Sequence, residues 1–281
     1  GSMERLGFRL TPFTRQVNRD GDGSQRLTGT ANRCAMLDEG YLELLTAVSD
    51  TPLAAQLRQS AARYRGLHLV ALAVGDAAAQ HARLTAEGFA PQPVIHMRRP
   101  VGDPGNRAEA SFRIVRVDPG TMPEGRIQCL SHETPELVWL PGSTTHPNAV
   151  DALLGVLMCV EDPAEAAARY ARFTGCRSEP AGITHRLLLD RGRLDFVSPG
   201  LLPTLLPGIG PPSVPYIAAI AVRSRDLDVT RTCLRGAGVS TLLGDDERIA
   251  LAPREACGAT VVIHAAARHR GDLLWAPAGG G

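Results

Sequence analysis

The 281-residue chain contains no lysine, and all 30 of its basic side chains are arginine. That absence excludes Schiff-base chemistry on a lysine amine, a lysine general base and the lysine of a phosphate-binding loop. Aromatic residues are only 4% of the chain, too few for the stacking platforms of single-strand nucleic-acid binders. The net charge is +1, so no field steers the protein toward DNA, RNA or an anionic membrane. The six cysteines (Cys34, Cys129, Cys159, Cys176, Cys233 and Cys257) include no Cys-x-x-Cys pair, and no thiolate zinc site is written in the sequence. The longest apolar runs, 152–160 and 216–222, fall far short of the roughly 20 residues that span a bilayer. Gly1, Ser2 and Met3 read as an expression remnant, with no signal-peptide pattern after them. The expectation is a soluble cytoplasmic protein with reduced thiols, no nucleic-acid partner and no membrane partner.

What the chain does contain is an internal repeat. An apolar run from Leu67 is followed by Asp76, an Ala-rich helical stretch and Glu87-Gly88-Phe89. The pattern recurs as Leu153 to Val160, Asp162-Pro163-Ala164-Glu165 and Phe173-Thr174-Gly175, and again as Tyr216 to Val222, Asp226 and Gly236-Ala237-Gly238. Each interval from Asp to closing Gly holds one helix of about three turns. Asp162 suits an N-cap, Pro163 the first helical position and Glu165 a capping box, while Gly88, Gly175 and Gly238 suit left-handed C-caps. Short β-branched stretches follow each helix: 93–97, 111–117 and 126–130, then 184–189 and 193–197, then 242–243, 248–251 and 259–264. The unit is β-α-β-β-β. Near the N-terminus, 4–8 matches the end of such a helix, and 8–10, 33–37 and 41–45 match its three following strands. This first copy lacks its opening strand and most of its helix. A sheet missing an internal strand exposes an edge, so the slot is expected to be filled by a swapped segment or another chain, with a homodimer as one candidate.

The predicted fold class is α+β: four tandem βαβββ modules, the first incomplete, pairing into two cupped mixed sheets with helices outside. Proline-rich linkers at 141–147 and 199–215 predict one domain over 1–140 (modules 1 and 2), a second over 141–275 (modules 3 and 4), and a flexible tail at 276–281.

Tandem βαβββ units resemble the vicinal oxygen chelate superfamily, and within it the glyoxalase-like branch. The residues that carry the resemblance are Leu6-Gly7-Phe8-Arg9-Leu10-Thr11-Pro12, Gly29-Thr30-Ala31-Asn32 with Tyr41-Leu42-Glu43-Leu44-Leu45, and His132-Glu133-Thr134-Pro135-Glu136-Leu137-Val138-Trp139 with His146-Pro147-Asn148-Ala149. The resemblance implies two units curled into a cup, often with a divalent metal (manganese, iron, nickel or zinc) held by His, Glu or Gln. Such a metal would act as a Lewis acid on two neighbouring oxygens of a small substrate, in lyase, isomerase or dioxygenase chemistry, with a Glu moving the proton. The alternative within the same superfamily is a metal-free small-molecule binder of the bleomycin-resistance type, with an apolar cleft and a few polar anchors.

Strand alternation puts Tyr41, Glu43 and Leu45 on one face, and the resemblance places the last-strand carboxylate ligand at Glu43, the candidate catalytic and metal-binding residue. His132, on the face of Gln128 and Leu130, is the candidate second ligand. His68 would be a first-strand ligand, although its register groups it with Val70, Leu72 and Val74 against the helix and puts Leu69, Ala71 and Ala73 toward the cup. Gln128, His146, Asn148 and Tyr41 are the candidate substrate-binding residues. His264 faces the second cup with Val262, where no carboxylate is expected, so the second pair is expected to be metal-free. Arg15, Arg98, Arg99, Arg113 and Arg126 stand near strand ends, where they fit a carboxylate or phosphate group or simply face solvent.

Overall fold

The fold is that of a computed structural model describing residues 1–19, 24–101, 108–266 and 274–275. The expected tail at 276–281 lies outside the described residues. A first sheet draws on β1 (Thr14–Arg19), β2 (Gln25–Met36), β3 (Tyr41–Ala47), β4 (Leu69–Ala73), β5 (Ile95–Val101), β6 (Ala108–Arg116) and β7 (Arg126–His132). A second draws on β8 (Val150–Cys159), β9 (Ser178–Ala181), β10 (Thr184–Leu188), β11 (Arg193–Val197), β12 (Tyr216–Ser224), β13 (Thr241–Gly244), β14 (Arg248–Leu251) and β15 (Thr260–His264). The helices are α1 (Ser2–Arg5), α2 (Pro52–Arg63), α3 (Ala77–Ala86), α4 (Pro135–Val138), α5 (Pro163–Thr174), α6 (Leu202–Leu205) and α7 (Leu227–Gly236).

Helix boundaries follow local chemistry. Asp76, Asp162 and Asp226 cap α3, α5 and α7, each accepting hydrogen bonds from two backbone amides of the first turn. Gly88, Gly175 and Gly238 all take positive φ at the far ends. The box expected at Glu165 does not close, because its carboxylate turns outward to Arg169, one turn along, at 2.9 Å. Helix α2 has a Thr51 cap and Pro52 at its start, and at 12 residues it is longer than the four-residue helices α4 and α6 that follow the last strands of the next two units.

Strand order shows how the units pair. In the second sheet, β13-β14-β15-β12-β8-β11-β10-β9, the opening strands β8 and β12 run antiparallel at the centre, each parallel to the last strand of its own unit. Both are buried almost throughout, as strands covered on two faces must be. The first sheet, β3-β2-β1-β5-β6-β7-β4, is joined elsewhere: β1 meets β5 through Asn18 and Met97. Its β4 lies parallel to β7 and has no partner on its other side among the described residues. Superposing the pattern of the second sheet on the first leaves one strand position vacant, between β3 and β4. No described segment of this chain occupies it, so the expected swapped segment is not there; instead a cleft of about 1330 Å³ lies between those two edges.

Two strand positions differ from the sequence reading. The first strand is Thr14–Arg19 rather than 8–10, because Leu6 and Phe8 (0% and 2% exposed) are committed to the core shared by both sheets. Met3 joins them, 6% exposed. Strand β9, polar and broken by Pro180, is an edge strand without apolar alternation.

Candidate functional site

The concave face of the first sheet carries Asn32, Cys34 and Met36 from β2, Tyr41, Glu43 and Leu45 from β3, Leu69 and Ala71 from β4, and Arg126, Gln128 and Leu130 from β7. Alternation along β3, β4 and β7 therefore runs as the sequence indicates. Tyr41 and Gln128 both line this cup, and a small cavity of about 70 Å³ lies over its floor. The cup opens sideways into the larger cleft, and Glu43 lines both.

Glu43 is held by amides. Its Oε1 accepts from Asn32 Nδ2 at 2.6 Å and from Gln16 Nε2 at 3.2 Å. Gln16 is fixed in turn by Thr30, whose hydroxyl donates to its Oε1 at 2.7 Å and shares a hydrogen with Thr28. Beside this chain stand two half-buried guanidiniums. Arg116 donates to Gln128 Oε1 at 3.2 Å. Its pKa is lowered to about 10, first by burial and then by the nearby Arg126 cation. Burial also lowers Arg126, with the Glu43 charge opposing. Among the described residues no hydrogen-bond partner meets the Arg126 guanidinium. A third cation, Arg99, lies over the Phe112 ring at 6.0 Å. Burial pushes the Cys34 thiol up to about 12, and Glu43 adds to it, so Cys34 is an inert wall of the cup.

The three candidate metal ligands do not assemble. His132 sits among Phe112, Trp139 and Tyr41, with ring centroids at 5.5, 4.9 and 6.1 Å. Its Nε2 makes no hydrogen bond to a described residue. Burial lowers its pKa, and Arg191 and Arg99 lower it further. His68 stacks on Tyr64 at 4.1 Å and binds the Tyr64 carbonyl at 2.8 Å, facing away from the cup as its register indicated. No group of three His, Cys, Asp or Glu side chains suited to a metal occurs among the described residues. The donor chemistry agrees: Glu43 already holds two amide donors and faces cations, so the residues present do not fit a divalent ion.

His146 and Asn148 are likewise not cup residues. His146 Nδ1 accepts from the Arg9 amide at 3.0 Å, and Nε2 donates to the Met36 carbonyl at 2.6 Å. Asn148 donates to the Leu6 carbonyl at 2.8 Å and accepts from the Val150 amide at 3.1 Å. Both are buried with these bonds already made, so they bind the N-terminal segment to the linker rather than a substrate.

The site residues missed from the sequence are Gln16, Asn32 as a Glu43 partner, and Arg116. Gln16 was hidden by the misplaced first strand.

One prediction arises here. His68, His132 and His146 all have folded-state pKa values pushed below 6.5, burial being the first cause in each. Each binds its proton less readily folded than unfolded, so stability present above pH 6.5 is lost as pH falls through the folded values. The thermal midpoint is expected to drop between pH 7 and pH 5. His132→Phe, which keeps the aromatic contacts, flattens that slope; an unchanged slope contradicts the assignment.

The sequence model of the family described as glyoxalase-like domain matches residues 2–174. No curated protein sequence matches the chain. Among solved structures, a hypothetical protein from Staphylococcus aureus aligns over 92% of this chain and 90% of its own, with TM-score 0.63 and 12% identity. A mutant 4-hydroxymandelate synthase from Streptomyces coelicolor aligns over 92% and 88%, with TM-score 0.52 and 14% identity. A xylose isomerase-like TIM barrel/4-hydroxyphenylpyruvate dioxygenase fusion protein aligns over 95% of this chain and 46% of its own, with TM-score 0.55 and 14% identity. At these identities the likeness is one of fold. By the family match and the paired βαβββ cups together, the chain belongs to the glyoxalase-like domain family of the vicinal oxygen chelate superfamily.

Proposed function

We propose that the protein binds a small oxygenated carboxylate, of the hydroxy-acid class, in the cup of its first sheet, and does so without a metal ion. The observation that carries this reading is the cation excess at the cup floor. Arg116 and Arg126 stand close enough to depress Arg116, Arg126 has no hydrogen-bond partner among the described residues, and the neighbouring carboxylate is already engaged by two amides. A guanidinium fork is suited to bidentate capture of a carboxylate. Glu43 Oε2 accepts no hydrogen bond from a described residue, which leaves it to receive a ligand hydroxyl. The small floor admits a head group, and the cleft between β3 and β4 takes the remainder.

Thermal shift with lactate, malate, pyruvate and inorganic phosphate tests this. Lactate or malate is expected to raise the midpoint saturably, with pyruvate, which lacks the hydroxyl, weaker. Equal response to all four, or none to any, contradicts the reading.

A further inference from the structure

The second cup also has a floor of buried charge, and it is occupied. Among the apolar side chains of its concave face, including Ala152, Leu154, Tyr216 and Val262, sit Leu274 and Trp275, 0% and 2% exposed. Alternation along β11 points Arg193, Asp195 and Val197 into this cup, so a carboxylate stands where none was expected. The Trp275 indole N–H donates to Asp195 Oδ2 at 2.7 Å, and Arg193 Nε donates to the same oxygen at 2.6 Å. Arg248 Nη1 donates to the Trp275 carbonyl at 3.1 Å. His264 Nε2 binds the Leu274 carbonyl at 3.0 Å. Arg193, Asp195, Arg248 and His264 are 3%, 0%, 6% and 1% exposed.

Four buried ionisable side chains cluster here around a two-residue segment, three of them bonded to it and Arg193 bonded to the Asp195 carboxylate. An apolar cup that merely anchored a chain end would do so more cheaply with apolar contacts, because desolvating such charges costs several kcal/mol per ion. The network is also incompletely met. Asp195 Oδ1 and Thr260 Oγ1, both on residues 0% exposed, find no hydrogen-bond partner among the described residues. A buried polar network that is only partly satisfied by its occupant is the expected appearance of a site shaped for a better one.

We propose that the second cup is a ligand-binding site for a planar aromatic ring bearing an N–H donor and a nearby carbonyl or carboxylate, and that Leu274 and Trp275 are its tethered occupant. The ring N–H is read by Asp195 and the acceptor by Arg248 and His264. The additional polar atoms of a free ligand reach Asp195 Oδ1 and Thr260.

The test uses the full chain and two probes: N-acetyltryptophanamide and its naphthyl analogue, which lacks the ring N–H. With wild type, the indole probe is expected to move the Trp275 Nε1 resonance saturably while that of Trp139 stays in place. Trp275→Phe, which gives up the N–H but fills much of the space, is expected to bind the indole probe about tenfold more tightly than wild type and the naphthyl probe at least about tenfold more weakly than the indole probe. Trp275→Ala repeats the comparison with the site emptied; if it fails to fold, wild type and Trp275→Phe still decide. Equal binding of the two probes shows a generic apolar hole and overturns the proposal, as does a Trp275 resonance that never moves together with no binding to Trp275→Phe.

Discussion

Arg126→Met is expected to make the ligand-free protein more stable by about 1 kcal/mol and to weaken carboxylate binding by roughly 30- to 100-fold. The two effects share one cause. The Arg126 guanidinium is partly desolvated beside a second cation, and no described residue accepts a hydrogen bond from it. Burial of a side chain in that position costs the folded state more than the Glu43 charge returns until an anion arrives. Methionine fills similar space without the charge. Chemical denaturation of the free protein and calorimetric titration with the best hydroxy acid read the two signs separately. Loss of stability with unchanged affinity would make Arg126 an ordinary structural cation and remove the basis of the proposed site.

The second large effect is on the fold. Gly7→Ala is expected to cost about 3 kcal/mol, lowering the thermal midpoint by roughly 5 °C. Gly7 has φ +85, and a Cβ there would lie 2.5 Å from Cys233 Sγ on α7 and 2.9 Å from Asn148 Cβ. It joins the N-terminal segment to the linker and to the last unit, where Asn148 donates to the Leu6 carbonyl and, through its own backbone carbonyl, accepts from the Thr230 hydroxyl at 2.7 Å. The Gly7→Ala, Cys233→Ala double variant relieves one clash but not the backbone strain, so it is expected to recover only part of the loss. Full recovery would show that Gly7 matters for space alone.

Much of the architecture was legible because three units write the same signals at nearly the same spacing. Asp at a helix start and Gly at its end are short-range rules, and they hold at Asp76, Asp162 and Asp226. The first strand was misplaced because Phe8 and Leu10 are apolar for a different reason: they lie against the core shared by the two sheets. Glu43 was legible from strand parity together with the family resemblance. Its partner Gln16 was not, since a polar strand segment over a polar cup has no apolar alternation to read. His146 and Asn148 were found as a motif, but the motif is a set of backbone bonds rather than a site. Asp195 shows the opposite failure, because the alternation of Arg193-Leu194-Asp195-Phe196-Val197 already put it on the cup face. What hid its role was that its partner, Trp275, lies 80 residues away in the chain.

The proposed anion site at Glu43, Arg116 and Arg126 works without a metal. Calorimetric titration of the chelator-treated protein with a hydroxy acid, repeated after adding manganese, iron, nickel or zinc, tests it most directly. The predicted result is one ligand per chain with the same affinity in every case. Binding that appears only with one equivalent of metal would make the site a metal centre instead.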